Sequence, residues 1–414
     1  MRVAVVGTGV SGLVAAWLLH RDHEVTIFGA DDWAGGHTHT VDVLAGGRTW
    51  AVDTGFIVFN EVTYPNFCAI LGRLGVASQP TRMTFSVACE RTGLEYNAHS
   101  LATLFAQRRN LVDPSFWRML LDILRFRREL ETILARGGEE RPLLPYLRGR
   151  GYSRRFVEHF VVPLASSLWS APPGAVEEFP LQALVRFFRN HGFLNVRNPF
   201  PWRVIRGGSR EYVRRLTEPF AERLRLVAPV AGVRRFPDRV ELEVPGAGTL
   251  TFDQVVLATH SDQAMALLRD PTDAEREVLG AIPYQENRTT LHTDTRQLPE
   301  RRRLWAAWNY RIPREEADRA ALTYDMNILQ SLAAPEELCV TLNRAEVLDR
   351  ARVLGEWTYH HPVYTPAAPA AQARHAEVSG ANRTHYCGAY WGYGFHEDGV
   401  RSALAACRWF GAGL

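Results

Sequence analysis

The chain has 414 residues, 46% of them hydrophobic and 22% charged, enough for roughly two or three domains around a large core. Its net charge of +3 carries no footprint of a nucleic-acid binder. All 48 basic residues are arginine, so neither a Schiff-base lysine nor a P-loop lysine is present. Cys68, Cys89, Cys339, Cys387 and Cys407 form no CxxC pair, and no Cys/His group has zinc-ligand spacing. No metal site and no disulfide framework are expected, which fits a reducing, cytoplasmic setting. Residues 1–19 are apolar, but glycines interrupt them and His20-Arg21-Asp22 follow, unlike a signal peptide with a basic n-region and a small-residue cleavage site. No run approaches the roughly 18 apolar residues of a membrane span.

Residues 2–6, RVAVV, are apolar and mostly β-branched, which predicts a buried parallel strand. GTGVSG follows and places Gly7, Gly9 and Gly12 in GxGxxG spacing. Residues 13–19 read as a helix and residues 23–28, HEVTIF, as a second strand. Strand, turn, helix and strand form the context in which this spacing binds a dinucleotide. Val10 and Ser11 then open the helix towards the phosphates. The second strand usually ends in an acid that holds the ribose, and here Gly29 stands there. Either Asp31 or Asp32 takes over that contact, or the ribose is held loosely.

AGGHTHT at 34–40 adds a second glycine turn, and AVDTGFIVFN at 51–60 reads as a strand and a turn. Residues 113–135 read as a helix opened by an Asp-Pro cap and first turn. Phe116, Leu120, Ile123, Leu124, Leu130 and Leu134 make its apolar stripe; Arg118, Arg125, Arg127 and Arg128 supply charge. The favoured reading is a core-packed helix with a solvated basic face; the alternative is a helix lying on an anionic membrane. Aromatics then crowd the chain at Trp169, Phe179, Phe187, Phe188, Phe193, Phe200, Trp202, Trp305 and Trp308. They suit ordinary core as well as the walls of an acyl tunnel. Residues 223–244 alternate like strands with a turn at Pro237-Asp238, and 252–268 read as strand, turn and helix. Residues 362–373 read as a loop. Residues 384–407 predict a strand ending at Cys387-Gly388 and a helix starting near Asp398-Gly399. That helix start directs free N–H groups at a bound dinucleotide.

The chain resembles two-domain flavoenzymes of the amine-oxidase type. In them a GG turn runs along the pyrophosphate and a DxG-like turn lies near the flavin. Trp33 and His37 replace the arginines that usually flank GG. The resemblance narrows to stand-alone bacterial FAD-dependent oxidoreductases found with cyclopropane-fatty-acid synthases, and to the flavin domain fused to plant cyclopropane-fatty-acid synthases. GGHTHT (35–40), DTGFIVFNEVTYPN (53–66), LFAQRRNLVDPSFWRML (104–120), SSLWS (166–170), NHGFL (190–194), WRVIRGGSREYV (202–213), YDMNILQ (324–330) and CGAYWGYGFHEDG (387–399) carry it.

The resemblance implies an α/β fold with a Rossmann-like FAD-binding domain of the glutathione reductase/amine oxidase type. That domain would comprise residues 1–80, 203–280 and 375–414, interleaved with an α+β substrate domain at 81–202 and 281–374. The implied cofactor is FAD. Its contacts would be Gly7, Gly9, Val10, Ser11, Gly12, Asp31, Gly35, Gly36, His37, Thr38, Asp53, Thr54, Gly55, Phe56, Val230, Gly388, Glu397, Asp398 and Val400. Phe59, Trp169, Trp202, Tyr390 and Trp391 would line the substrate pocket. Tyr393 and His396 are the candidate proton acceptors; Glu397 and Asp398 better suit a helix start. The implied reaction desaturates methyl-branched or otherwise modified acyl chains by hydride transfer to flavin. A double-bond isomerase, an amine or carotenoid-type oxidase, and a flavin-binding accessory subunit of a methyl transferase are the other readings. Partners would be a fatty-acyl lipid, a cyclopropane-fatty-acid-synthase-like methyl transferase and a peripheral membrane surface at the inner face. Amine oxidases of this fold often keep a lysine near the flavin; none exists here, which disfavours their mechanism.

Overall fold

The β-branched run at the start becomes Arg2–Val6, the middle strand of a five-stranded sheet. In order, the strands are Leu224–Arg225, Glu24–Phe28, Arg2–Val6, Gln254–Leu257 and Thr384–Tyr386, and every pairing is parallel. Alternation assigns the two faces. Val3 and Val5 join the helices Val10–Leu19 and His396–Arg408 in one apolar cluster. Ala4 and Val6 face the opposite way, onto an antiparallel sheet of Gly232–Arg235, Val240–Val244 and Gly248–Phe252. A sheet covered on both faces needs apolar residues at every position of its middle strand, and residues 3–6 supply them. The computed structural model describes residues 1–136, 141–170, 172–190, 201–315, 318–365 and 367–414.

A second, seven-stranded sheet runs Val353–Pro362, Tyr284–His292, Cys339–Leu342, Leu322–Asp325, Trp308–Ile312, Phe85–Cys89 and Glu95–Asn97. Its pairings are antiparallel except that of Trp308–Ile312 with Phe85–Cys89. Helices Pro114–Arg136, Val162–Trp169 and Leu181–Asn190 lie over a further apolar cluster.

Asp113 caps the helix Pro114–Arg136 by accepting from the Ser115 and Phe116 amides at 2.9 and 3.3 Å. Phe116, Met119, Phe126, Leu130 and Ile133 are its buried line. Of the expected stripe, Leu120, Ile123 and Leu134 are only half-buried and Leu124 is exposed. Leu124 lies seven residues from Trp117, so it falls on the outward face with Trp117 and Leu121. The expected loop at 362–373 is also corrected: Ala368–Ala373 is a helix. Phe193, Phe200 and most of the NHGFL motif lie outside the described residues.

Candidate functional site

The two glycine turns near the start of the chain touch. Gly9 precedes the helix Val10–Leu19 without a side-chain cap. The Gly35 amide donates to the Thr8 carbonyl at 2.8 Å. Gly36 has φ +58°, and a β-carbon there would sit 3.1 Å from Gly9 Cα. The last helix, His396–Arg408, joins them. A β-carbon on Gly399 would meet Val10 Cγ1 at 2.7 Å and Ser11 Oγ at 2.9 Å, so the first turns of the two helices are in contact. Both helices follow strands of one parallel sheet, so both N-termini open at the same sheet edge. The leading amides of each, at Val10, Ser11 and Gly12 and at His396 and Glu397, have no intrahelical acceptor. Two bundles of donors, with the positive ends of two helix dipoles, therefore meet beside the glycine loop. The Gly388 amide donates to Ser402 Oγ at 2.9 Å and fixes the last strand to this helix, where Val400 is fully buried.

The structure explains the missing ribose acid. A β-carbon at Gly29 would lie 2.7 Å from Thr8 Cγ2 and 3.1 Å from Leu226 Cδ2, so a carboxylate side chain there requires Thr8 to shift. Asp31 is exposed two residues on, and its carbonyl accepts from the Val227 amide at 3.0 Å. Burial and the neighbouring Asp32 push the Asp31 carboxyl above its ordinary range. Val230 lies just beyond this crossing, half-buried.

Other expected contacts are spent inside the protein. Asp53 accepts from Thr40 Oγ1 at 2.6 Å, from the Ser209 amide and hydroxyl at 2.8 Å, and from Gln330 Nε2 at 3.0 Å. Burial pushes its carboxyl up to about 6. Thr54 Oγ1 pairs with Tyr359 Oη at 2.8 Å, and Gly55 packs onto the His37 carbonyl. Glu397 accepts from the Asn66 and Phe67 amides at 3.1 and 3.0 Å and so caps the helix Pro65–Leu74. Asp398 accepts from the Tyr393 and Phe395 amides, and burial pushes it up to about 6. His396 is stacked on Phe56 at 3.5 Å, and its Nε2 pairs with Tyr212 Oη at 2.8 Å and Thr38 Oγ1 at 3.1 Å. Burial holds its pKa far below the ordinary histidine value, so it is neutral. These bonds engage its Nε2.

His37 has a different environment. Its Nε2 is buried without a hydrogen-bond partner among the described residues. Around it stand Tyr359, His361 and His260, with ring centroids at 5.1, 5.2 and 6.0 Å. Burial lowers His37 and His361 to about 3 and His260 to about 4, so the cluster is neutral at neutral pH. Sequence reading missed His260 and His361. The signals were the His360-His361 pair inside a strand and His260 directly after a buried one.

The expected pocket residues separate into four places. Phe59 is buried between Tyr64 and Phe67 as core and faces no opening. Trp202 lies in the small sheet that links residues 58–60, 202–205 and 78–80. Tyr390 and Trp391 pack together at 5.0 Å, against Ile282 and Ala368. Trp169 stands with Phe179 at 4.6 Å and Phe187 at 4.8 Å, and Phe187 stacks on Phe395 at 4.9 Å. Trp169, Phe179 and Phe187 are themselves buried in the core, and through Phe187 this aromatic wall reaches the residue before the last helix. Tyr393 is half-buried beside it, 6.4 Å from Phe187.

A flavin dinucleotide fits these features: a bare glycine cradle, two sets of helix amides, and the buried polar atoms His37 Nε2 and Tyr364 Oη, which have no hydrogen-bond partner among the described residues. Among the described residues no His, Cys, Asp and Glu cluster could hold a metal, and no helix is long and apolar enough to cross a membrane. At the level of sequence, no curated protein matches the chain significantly. Solved structures do. Putrescine oxidase bound to putrescine aligns with TM-score 0.70 at 14% identity, covering 99% of each chain. Cyclohexylamine oxidase from Brevibacterium oxydans IH-35A aligns with TM-score 0.70 at 16% identity, covering 98% of each. A CLA-producing fatty acid isomerase from P. acnes aligns with TM-score 0.69 at 16% identity, covering 99% of this chain and 98% of that one. The sequence profile of the flavin containing amine oxidoreductases matches residues 10–297, well over half of the chain. The chain thus belongs to the flavin-containing amine oxidoreductase family, and it is a flavin-dependent oxidoreductase.

Proposed function

We propose that this oxidoreductase acts on fatty-acyl chains and desaturates methyl-branched or otherwise modified acyl groups. One observation carries the reading. The wall of Trp169, Phe179, Phe187 and Phe395 ends at the first turn of the last helix, whose two carboxylates already have partners. Glu397 and Asp398 are both committed to backbone amides. An apolar chain loses nothing against such a wall, whereas an ammonium would go unpaired. The missing lysine argues the same way.

FAD, when bound, supplies a two-electron acceptor for hydride. The paired helix starts hold its negative charge, and the aromatic wall excludes water and orients the acyl chain. A hydride leaves one acyl carbon with its bonding electrons, a proton leaves the neighbour, and the remaining pair becomes the double bond. Tyr393, beside Phe187, would receive or relay that proton, since His396 is held by Tyr212 and Thr38. A quinone or a carrier protein then takes the electrons. A methyl transferase resembling the cyclopropane-fatty-acid synthases would supply the substrate.

Isomerisation is the second reading, since a protein of this fold carries the name of a fatty acid isomerase. Lipid mass spectrometry separates the two, using cells that co-express a methyl-branching synthase with or without this protein. Desaturation removes two mass units from the branched lipids. Isomerisation leaves the mass and moves the double bond. Unaltered lipids, with flavin bleached by amines instead, would end the acyl reading.

A further inference from the structure

The helix Pro114–Arg136 buries one face and leaves a second apolar face largely exposed. Trp117, Leu121 and Leu124 are 44%, 61% and 44% exposed. They stand at i, i+4 and i+7, so they share one stripe, and Arg128 at i+11 continues it. The stripe extends into the segment before the helix. Trp117 Nε1 donates to the Leu111 carbonyl at 2.9 Å, which sets Leu111 and the 83%-exposed Val112 beside it. Phe105 packs on Trp117 at 5.1 Å, and Leu101, one turn earlier, is 75% exposed. Among the described residues, six of the thirteen exposed large hydrophobic residues fall between positions 101 and 124. Random scatter along 414 residues does not concentrate them so.

The charge around the stripe names the occupant. Residues 101–136 contain seven arginines and four acids, an excess equal to the net +3 of the whole chain. Arg118 and Arg125 are paired, with Asp122 and Glu129. Arg108, Arg109, Arg127 and Arg128 make no ion pair among the described residues. Beside the first turn a cavity of about 610 Å³ adds Arg154 and Arg155 to Arg109 and Arg118, against Asp113 and Glu158. Tryptophan and leucine on an exposed helical stripe, rimmed by arginine, match the requirements of an anionic bilayer surface. The apolar side chains enter the interface while the guanidinium groups meet phosphate.

We infer that residues 101–128 form a docking face for anionic phospholipid membranes. The inner side of the same helix belongs to the apolar cluster that contains Trp169 and Phe187 and reaches Phe395. Docking would therefore place the substrate-domain core against the source of acyl chains. The inference stands without the acyl reading, because membrane binding is measured without turnover.

The test is co-sedimentation of the flavin-loaded full chain with vesicles of phosphatidylcholine, with or without phosphatidylglycerol. Binding is expected only with phosphatidylglycerol and should weaken as salt rises to about 0.5 M. Trp117→Ser with Leu121→Ser should lower the bound fraction about tenfold, and Arg108→Glu with Arg128→Glu should do likewise. Leu44→Ser with Leu354→Ser, exposed elsewhere, should bind like the parent. Brominated phosphatidylglycerol should quench tryptophan emission in the parent protein, less so in Trp117→Phe, a readout independent of the serine variants. No binding by the parent, unchanged binding by both face variants, or a solution dimer that the serine pair splits would each overturn the inference.

Discussion

Asp53 shows what it takes to bury a carboxylate: Thr40, Ser209 and Gln330 supply four hydrogen bonds to its two oxygens. Burial still outweighs them, and the pKa rises to about 6 from the ordinary 3.8. The sign follows from proton counting. Between about pH 4 and 6 the folded state binds the proton and the unfolded state does not, so this group's contribution to stability falls as pH rises through that window. Asp53→Asn removes the titration. The unfolding free energy of the variant, minus that of the parent, should therefore increase by about 2–3 kcal/mol from pH 4 to pH 7. Urea titrations of the flavin-free proteins at the two pH values check it; a difference independent of pH would refute it. The DTG turn made Asp53 an expected cofactor contact. Its partners Ser209 and Gln330 lie 156 and 277 residues away, a distance at which no local pattern reports a hydrogen bond. Gly29 was legible as an oddity, but its cause, the side chains of Thr8 and Leu226, was not.

Between elements, the strongest polar tie lies behind the parallel sheet. Arg235 in the strand Gly232–Arg235 forks onto Glu275 of the helix Asp273–Gly280 at 2.5 and 3.0 Å. Tyr386 Oη of the strand Thr384–Tyr386 donates to the same carboxylate at 2.6 Å. Glu275 also accepts from the Thr272 amide at 2.8 Å and so helps start its own helix. Both charged side chains are almost completely buried. Glu275→Gln leaves Arg235 with only Asp270, itself partly exposed, and should cost about 3 kcal/mol of unfolding free energy. Equilibrium denaturation of the variant against the parent measures this; a loss below experimental error would mean that the pair contributes no net stability. The elements themselves were legible because their signals are local: β-branched runs, glycine turns, the Asp113 cap. Facing was less legible. The helix at 113–135 carries apolar residues on two sides, and a single sequence does not say which side meets the core.

Across the whole molecule, the contact of Gly399 with Val10 and Ser11 joins stretches almost 400 residues apart. Two glycine-led helix starts in one chain made that meeting readable, since each needs an anion and the fold provides one dinucleotide. Backbone amide exchange tests it. Adding FAD to the flavin-free protein should slow exchange at Val10–Gly12 and at His396–Glu397 together, with one midpoint in FAD concentration. Protection of the first stretch alone would place the last helix outside the cofactor site. The separation of the aromatics into core, small sheet and wall was beyond the sequence, because burial and pocket lining draw on the same residue types.

The same junction bears on how the protein is made. The glycine loop is translated almost 400 residues before its companion helix. Until then the nascent sheet lacks the strand Thr384–Tyr386, and one side of the helix Val10–Leu19 has no cover. Cofactor capture by both helix starts is thereby deferred until the helix His396–Arg408 has been made, and a chain lacking it exposes to chaperones the apolar surface that this helix covers.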